Sequence, residues 1–452
     1  MGSLSVLLSI VGFLLTIGVV VLIHEGGHYL AAKWLGFAVR RFSIGMGKVV
    51  WRKNAWDTEF AISLLPIGGY VAFEEEDKRE DGTPVKGMLF ETGPRWRRAI
   101  VIAAGPLMNF VLAVALFTAS GAIGVSDLAP YVTAAPNSQA AEQGIERMDR
   151  VTAVAGRPVS GLTDFNATLL EQTGRPDVRI EFERKGEPFV RHFDLTSVTL
   201  EDATKTKGLI LPKLGFMLAG KGVLVVDAIK GGPAASAGLK AGDMILRING
   251  EPSDFLTFAS MIRTHAGKPL ELEVQSLASE DAPVRRLTMT PRAETDQKTG
   301  AVSGKADLRF AEGVERVTVR RGPIESLSIA VDKVIGLTRF QAEAVGDMAK
   351  GELSTENLSG PVGIAGMAGS ALTAGLSAFL EFLALISIAI GFMNLIPIPA
   401  LDGGQLVILG IEAVMGRDIP RGVREKLGAV SMALLILLAV YVTVNDVGRL
   451  GG

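Results

Sequence analysis

The chain has no cysteine and only four histidines among its 452 residues. The first absence rules out disulfides and thiolate metal ligands, and is compatible with either side of a membrane. The second makes the position of each histidine informative. An excess of either charge is also lacking, since a net charge of −2 provides no electrostatic footprint for nucleic acid. No G-x-x-x-x-G-K-[ST] stretch occurs, so phosphate-loop ATP chemistry is excluded. Lys and Arg are missing altogether before Lys33.

Apolar residues are abundant: they make up 48% of the chain, with a mean hydropathy of +0.34. They concentrate in four runs, Leu4–Leu35, Ala99–Gly124, Leu372–Ile396 and Leu427–Val444. Each approaches or exceeds the roughly 20 residues that cross a bilayer. The first has no basic leader, so it reads as a retained span rather than a cleaved signal. From Lys33 to Arg98 twelve basic residues follow, among them Arg40, Arg41, Arg52 and Lys53. The positive-inside rule makes that loop cytoplasmic and the N-terminus external. Arg417, Arg421, Arg424 and Lys426 place the connection between the last two spans on the cytoplasmic side as well.

Two of the four histidines stand in Val19-Val20-Val21-Leu22-Ile23-His24-Glu25-Gly26-Gly27-His28, an H-E-x-x-H pattern inside the first apolar run. On a helix, residues four apart share a face, so His24 and His28 present two imidazoles one turn apart, with Glu25 beside them. That is the arrangement of two zinc ligands and a carboxylate general base. A core histidine pair bonded to backbone is the plainer reading, but it leaves Glu25 without a partner in an apolar span. The other histidines, His192 and His265, lie in polar segments, and position 34 is Trp34, so a third ligand has to be a carboxylate.

The third run ends in Asn394-Leu395-Ile396-Pro397-Ile398-Pro399-Ala400-Leu401-Asp402-Gly403-Gly404. Two prolines one residue apart cannot continue a helix, so the chain unwinds at membrane depth and delivers Asp402 there. Asp402 has two readings, third ligand or N-cap of the helix running to Met415. The ligand reading is favoured because the imidazole pair needs a third donor. Glu381 and Glu412 are the competing carboxylates, one near the outer end of its span and one beyond the break. Gly105-Pro106 and Asn109 in the second run read as close helix packing without a functional role.

Between the spans, residues 36–98 alternate apolar and polar positions with Gly and Pro punctuation, which predicts hairpins of a small membrane-associated sheet. An extended substrate can add to such an edge. Glu74-Glu75-Glu76-Asp77 reads as a solvated charge run. From 125 the chain becomes polar and carries an internal repeat. Gly242-Asp243 and Asn249-Gly250 bracket an alternating strand, and Met148-Asp149 to Gly156 echo it. These units resemble PDZ domains, assigned to 125–210 and 211–295, with Leu214-Gly215-Phe216-Met217 matching a carboxylate-binding loop in the second. The resemblance implies capture of chain ends at Gly215 and Phe216; steric shielding without a ligand is an equal alternative. Residues 296–371 follow as strand, amphipathic helix (Pro323–Lys350, along the membrane surface or on the modules) and a Gly/Pro-rich connector from Asn357.

The parts make a four-span α-helical membrane protein (spans 1–35, 99–124, 372–396 and 427–445), with a Pro-rich break and cytoplasmic helix at 397–426. Taken together, the H-E-x-x-H span, the Asn394-x-x-Pro397-x-Pro399-x-Leu401-Asp402-Gly403 break and the tandem PDZ-like units resemble the site-2 protease family over nearly the whole chain. That resemblance implies zinc-dependent proteolysis of single-span proteins within the membrane. The implied substrates include a membrane-bound anti-sigma factor already trimmed by another protease, and remnant signal peptides. It implies His24, His28 and Asp402 as zinc ligands, Glu25 as base, and Asn394, Pro397 and Pro399 as substrate contacts. It also implies a bacterial inner membrane with the PDZ-like units periplasmic and the site toward the cytoplasm. Gln405 stands where relatives often have His.

Overall fold

The computed structural model describes residues 3–76, 84–198, 210–277, 282–295, 301–350 and 360–451. Asp77 of the acidic run, and Asn357 to Ser359 of the connector, lie outside the described residues. The chain divides into two compact units, Met1–Val125 with Arg320–Gly452, and Ser126–Val319.

In the first unit the apolar runs form α1 (Ser3–Trp34), α2 (Arg95–Ile123), α5 (Leu376–Leu395) and α7 (Arg421–Gly451). These contain the four described helices that are long and apolar enough to cross a membrane. A helix satisfies its own backbone groups, which is what a lipid setting demands. Leu7 and Leu14 of α1, Val111 of α2, and Leu434 and Leu437 of α7 remain exposed, as expected where lipid tails replace water. Three further helices complete the unit: α3 (Pro323–Lys350), α4 (Pro361–Ala374) and α6 (Asp402–Met415).

Helix α3 packs on two of the spans. Its Ala330 and Val334 are buried against Ala113 and Phe117 of α2 and Ala384 and Ile388 of α5. Lys333 Nζ lies 2.8 Å from Glu381 Oε1 and 4.3 Å over the Phe117 ring. The supposed connector is helical from Pro361 because its small residues let it close on α1: a Cβ on Gly369 would fall 2.5 Å from Ser9 Oγ.

The described residues of 36–98 hold one long, folded-over hairpin rather than several, β1 (Val39–Ala55) with β2 (Thr58–Phe73). The Arg41–Ile44 stretch lies between Glu59–Ile62 on one side and Gly69–Ala72 on the other. The Gly69–Ala72 stretch therefore forms an edge. Tyr29, Phe42 and Phe60 pack edge-on, with ring centroids 5.5 Å apart for both Tyr29 pairs, and join the hairpin to α1.

Two larger sheets in the second unit have the same strand order. In the first, β3 (Tyr131–Ala134), β4 (Asp149–Val154), β5 (Val178–Arg184), β6 (Glu187–Phe193) and β7 (Phe216–Leu218) run β6-β5-β4-β3-β7. In the second, β8 (Val223–Ala228), β9 (Asp243–Ile248), β10 (Leu270–Ser276), β11 (Arg285–Met289) and β12 (Leu308–Glu312) run β11-β10-β9-β8-β12. Both expected module boundaries are therefore displaced. The loop Leu214-Gly215-Phe216 belongs to the first module, whose last strand pairs Phe216 with Ala134. The second module extends past 295 to β12. The last strand of each module sits beside its first, so sequence order misplaced the break.

The repeated aspartate explains the repeat. Asp149 is fully buried, bound by Arg184 at 2.7 Å through Nε and Nη2 and by Glu146 N at 2.8 Å. Asp243 takes Arg285 Nη2 at 2.7 Å and Lys240 N at 2.9 Å in the same way. Met148, at φ 70°, adopts the left-handed conformation that Gly242 adopts at φ 86°, so the turn survives without glycine. Removing one side of such a buried pair costs about 3 kcal/mol or more. Asp149→Ala is expected to unfold the first module at a distinctly lower temperature in a thermal scan of the full chain, and an unchanged transition would contradict this account.

Candidate active site

Helix α1 carries His24 and His28 on one face, with ring centroids 4.9 Å apart and the planes near perpendicular. Their Nε2 atoms are 3.3 Å apart. Asp402 Oδ2 lies 3.3 Å from His24 Nε2 and 3.4 Å from His28 Nε2. Three candidate donor atoms thus form a near-equilateral triangle. Tetrahedral zinc with ligand bonds of about 2.0–2.1 Å has edges of roughly 3.3–3.4 Å, so the donor set fits that ion. Asp402 Oδ2 is buried with no hydrogen-bond donor among the described residues, an arrangement that a cation would relieve.

Asp402 arrives by a locally determined route. Helix α5 stops at Leu395 because Pro397 and Pro399 follow. The loop then folds tightly onto α6: a Cβ on Gly403 would lie 2.2 Å from Leu395 O, and one on Gly404 2.1 Å from Ile398 O. Leu401 N donates to Ile398 O at 2.8 Å, and Gln405 Nε2 to Pro399 O at 2.7 Å. Asp402 is the first residue of α6 and Leu401 holds the cap position with no side-chain bond, so the N-cap alternative fails. Neither competing carboxylate reaches the histidines. Glu381 is paired with Lys333, and Glu412 is buried, accepting from Ile419 N at 2.9 Å.

Two residues of α2 bear on the site that pattern reading treated as packing alone. A Cβ on Gly105 would fall 2.2 Å from His28 Nε2, and Asn109 Nδ2 is 3.2 Å from His24 Nδ1. Val101 O accepts from His28 Nδ1 at 2.8 Å, which leaves Nε2 of that ring with its lone pair toward Asp402. The signal available beforehand was the spacing of Gly105 and Asn109, one turn apart on one helix face.

Glu25 follows His24 on α1, and the hairpin edge closes on it: a Cβ on Gly69 would sit 2.8 Å from Glu25 Cγ. Asn394 is on the last turn of α5, half-buried; Pro397 is exposed and Pro399 half-buried on the loop leading to Asp402. Gly215 and Phe216, by contrast, belong to the other unit. Gly215 N donates to Pro212 O at 3.1 Å, its Cβ position is filled by Ser138, and Phe216 is buried in the first module's core.

A histidine pair and a carboxylate set in apolar helices, with a glutamate alongside, define a metallopeptidase embedded among membrane spans. The chain belongs to peptidase family M50, whose pattern matches residues 12–438. It is a zinc metallopeptidase of the site-2 type. It is 33% identical to the regulator of sigma E protease of Haemophilus influenzae over 99% of this chain and 100% of that one. It is 32% identical to the regulator of sigma-E protease RseP of Escherichia coli, with the same coverage of 99% and 100%. A relative in Ralstonia nicotianae, 31% identical over 98% of this chain and 99% of its own, bears "zinc metalloprotease" in its name.

Proposed function

We propose that this protein cleaves single-span membrane proteins within the bilayer, with His24, His28 and Asp402 holding zinc and Glu25 as general base. The observation that carries the reading is the 3.3–3.4 Å triangle of His24, His28 and Asp402, with Glu25 and the hairpin edge beside it. Zinc in such a donor set supplies Lewis acidity and lowers the pKa of water toward about 7. Glu25 accepts the proton of the attacking water and delivers it to the leaving amine nitrogen. A helical substrate hides its carbonyls in its own hydrogen bonds, so it has to unwind first. The Gly69–Ala72 edge and the loop at Pro397–Pro399 are backbone surfaces to which an extended segment adds as a strand, with Asn394 as a further substrate contact.

The basic residues of the hairpin region and of the α6–α7 connection support a cytoplasmic position for the site and a periplasmic one for the tandem modules, in a bacterial inner membrane. The relatives are named as regulators of sigma E, and the physiological substrate proposed here is a membrane-bound anti-sigma factor trimmed beforehand. Remnant signal peptides, also short single spans, suit the same site.

Positioned outside, the modules exclude substrates with bulky external domains. In the second, a cavity of about 350 Å³ lies between β12 and the helix Phe255–Thr264, lined by Ala259, Ile262, Arg263, Lys305, Leu308 and Phe310. Asp307 also lines it and Lys305 is paired with Glu294 at 3.1 Å, so the cavity offers a chain end mainly its apolar walls. The test is deletion of 126–319, the whole second unit. Co-expressed with a single-span substrate, the deleted protein is expected to cleave the form that retains its external domain. Rejection of that form at the parent's level would refute the exclusion role.

A further inference from the structure

The two histidines differ in what holds their outer nitrogens. His28 Nδ1 has a carbonyl, Val101 O at 2.8 Å, and so carries a proton there. Among the described residues, His24 Nδ1 has only the Asn109 amide, at 3.2 Å. Asn109 is fully buried, and its own position is fixed from α5: Ser387 Oγ donates to Asn109 O at 2.8 Å, and a Cβ on Gly391 would lie 3.0 Å from Asn109 Cβ. In this placement the amide nitrogen faces the imidazole. That orientation requires the proton of His24 on Nε2, the atom that faces His28 and Asp402. A proton there blocks ligation. Exchanging the amide oxygen and nitrogen, which are near-identical in shape, makes Oδ1 the acceptor of His24 Nδ1–H and frees the Nε2 lone pair.

We infer that Asn109 is a positioning residue that accepts a hydrogen bond from His24 Nδ1 and so fixes the His24 tautomer competent to hold zinc. The two imidazoles are then set by one helix, α2, through a main-chain carbonyl and a side-chain amide two turns apart. Partners of this kind change metal affinity by about 10–100-fold when removed. The inference rests on the zinc-ligand reading of His24, and the experiment separates the two.

Full-length protein in detergent is loaded with zinc and challenged with a competing chelator, and the cobalt(II)-substituted form is followed by its visible spectrum. Asn109→Leu, of similar shape and without an acceptor, is expected to lose zinc at about 10–100-fold lower chelator concentration. Asn109→Asp retains an acceptor and is expected to hold zinc at least as tightly as the parent. Melting of the chelator-stripped proteins measures folding separately, so an Asn109→Leu variant that melts early is replaced by Asn109→Ala in the same comparison. Equal zinc retention by parent and acceptor-free variant overturns the inference, as does a defect in Asn109→Asp equal to that in Asn109→Leu. Undiminished zinc in His24→Ala would instead remove the ligand reading beneath it.

Discussion

Glu25→Gln is expected to keep its zinc at the parent's stoichiometry while cleavage of a single-span substrate falls by at least about 10²–10⁴-fold, the usual weight of a general base. The substitution preserves side-chain length and the packing against Gly69, where a Cβ would meet Glu25 Cγ at 2.8 Å, and removes only the capacity to take a proton. Metal content by elemental analysis and cleavage by gel shift in one preparation decide the matter. Loss of zinc together with activity would make Glu25 structural. Cleavage at the parent's rate would end the proposed mechanism.

A single methyl group on α2 is expected to do nearly as much harm from outside the motif. In Gly105→Ala the new carbon would lie 2.2 Å from His28 Nε2, 2.4 Å from Cε1 and 2.8 Å from Cδ2, so the ring cannot stay where it is. Either the bond from His28 Nδ1 to Val101 O breaks, or α1 and α2 separate at the point where a Cβ on Gly27 would already be 2.5 Å from Ala104 O. In both cases the triangle opens, and misplacement by about 1 Å costs about 10²-fold in rate. Zinc is expected to drop well below one per chain. Gly26→Ala is the control: it stands inside the H-E-x-x-H motif yet has nothing within 4 Å of its Cβ position, so zinc and activity should persist. Normal zinc in Gly105→Ala would mean that α2 yields more easily than close packing allows.

The two halves of the site differed in how plainly the residues announced them. His24, Glu25 and His28 were readable because one helical turn fixes their relation whatever the rest of the chain does. Asp402 was readable because two prolines force a break and two glycines follow it, all within eight residues. Gly105 and Asn109 were not, since their meaning lies in contacts with histidines 77 and 85 positions earlier, and Gly, Pro and Asn in an apolar helix have an ordinary packing explanation. The module boundaries failed for a topological reason. Phe216 looks like the start of a second unit when read along the chain, yet it hydrogen-bonds beside Ala134 in the first. The packing of α3 on two spans was not legible either, since an apolar stripe at helical spacing does not say what it meets; Lys333 pairs with Glu381, and Ala330 presents a surface small enough for two spans to approach.

The length of α1 carries a further consequence. Its 32 residues extend about 48 Å, against a hydrocarbon layer of about 30 Å, while the 20 residues of α5 match that layer. The excess has to be taken up by inclination or by projecting ends. His24 sits 21 residues from the start of α1, so the depth of the His24, His28 and Asp402 trio below the headgroups follows the thickness of the host bilayer. Reconstitution in lipids of graded acyl length therefore offers a dial on water supply to the site that leaves every side chain intact.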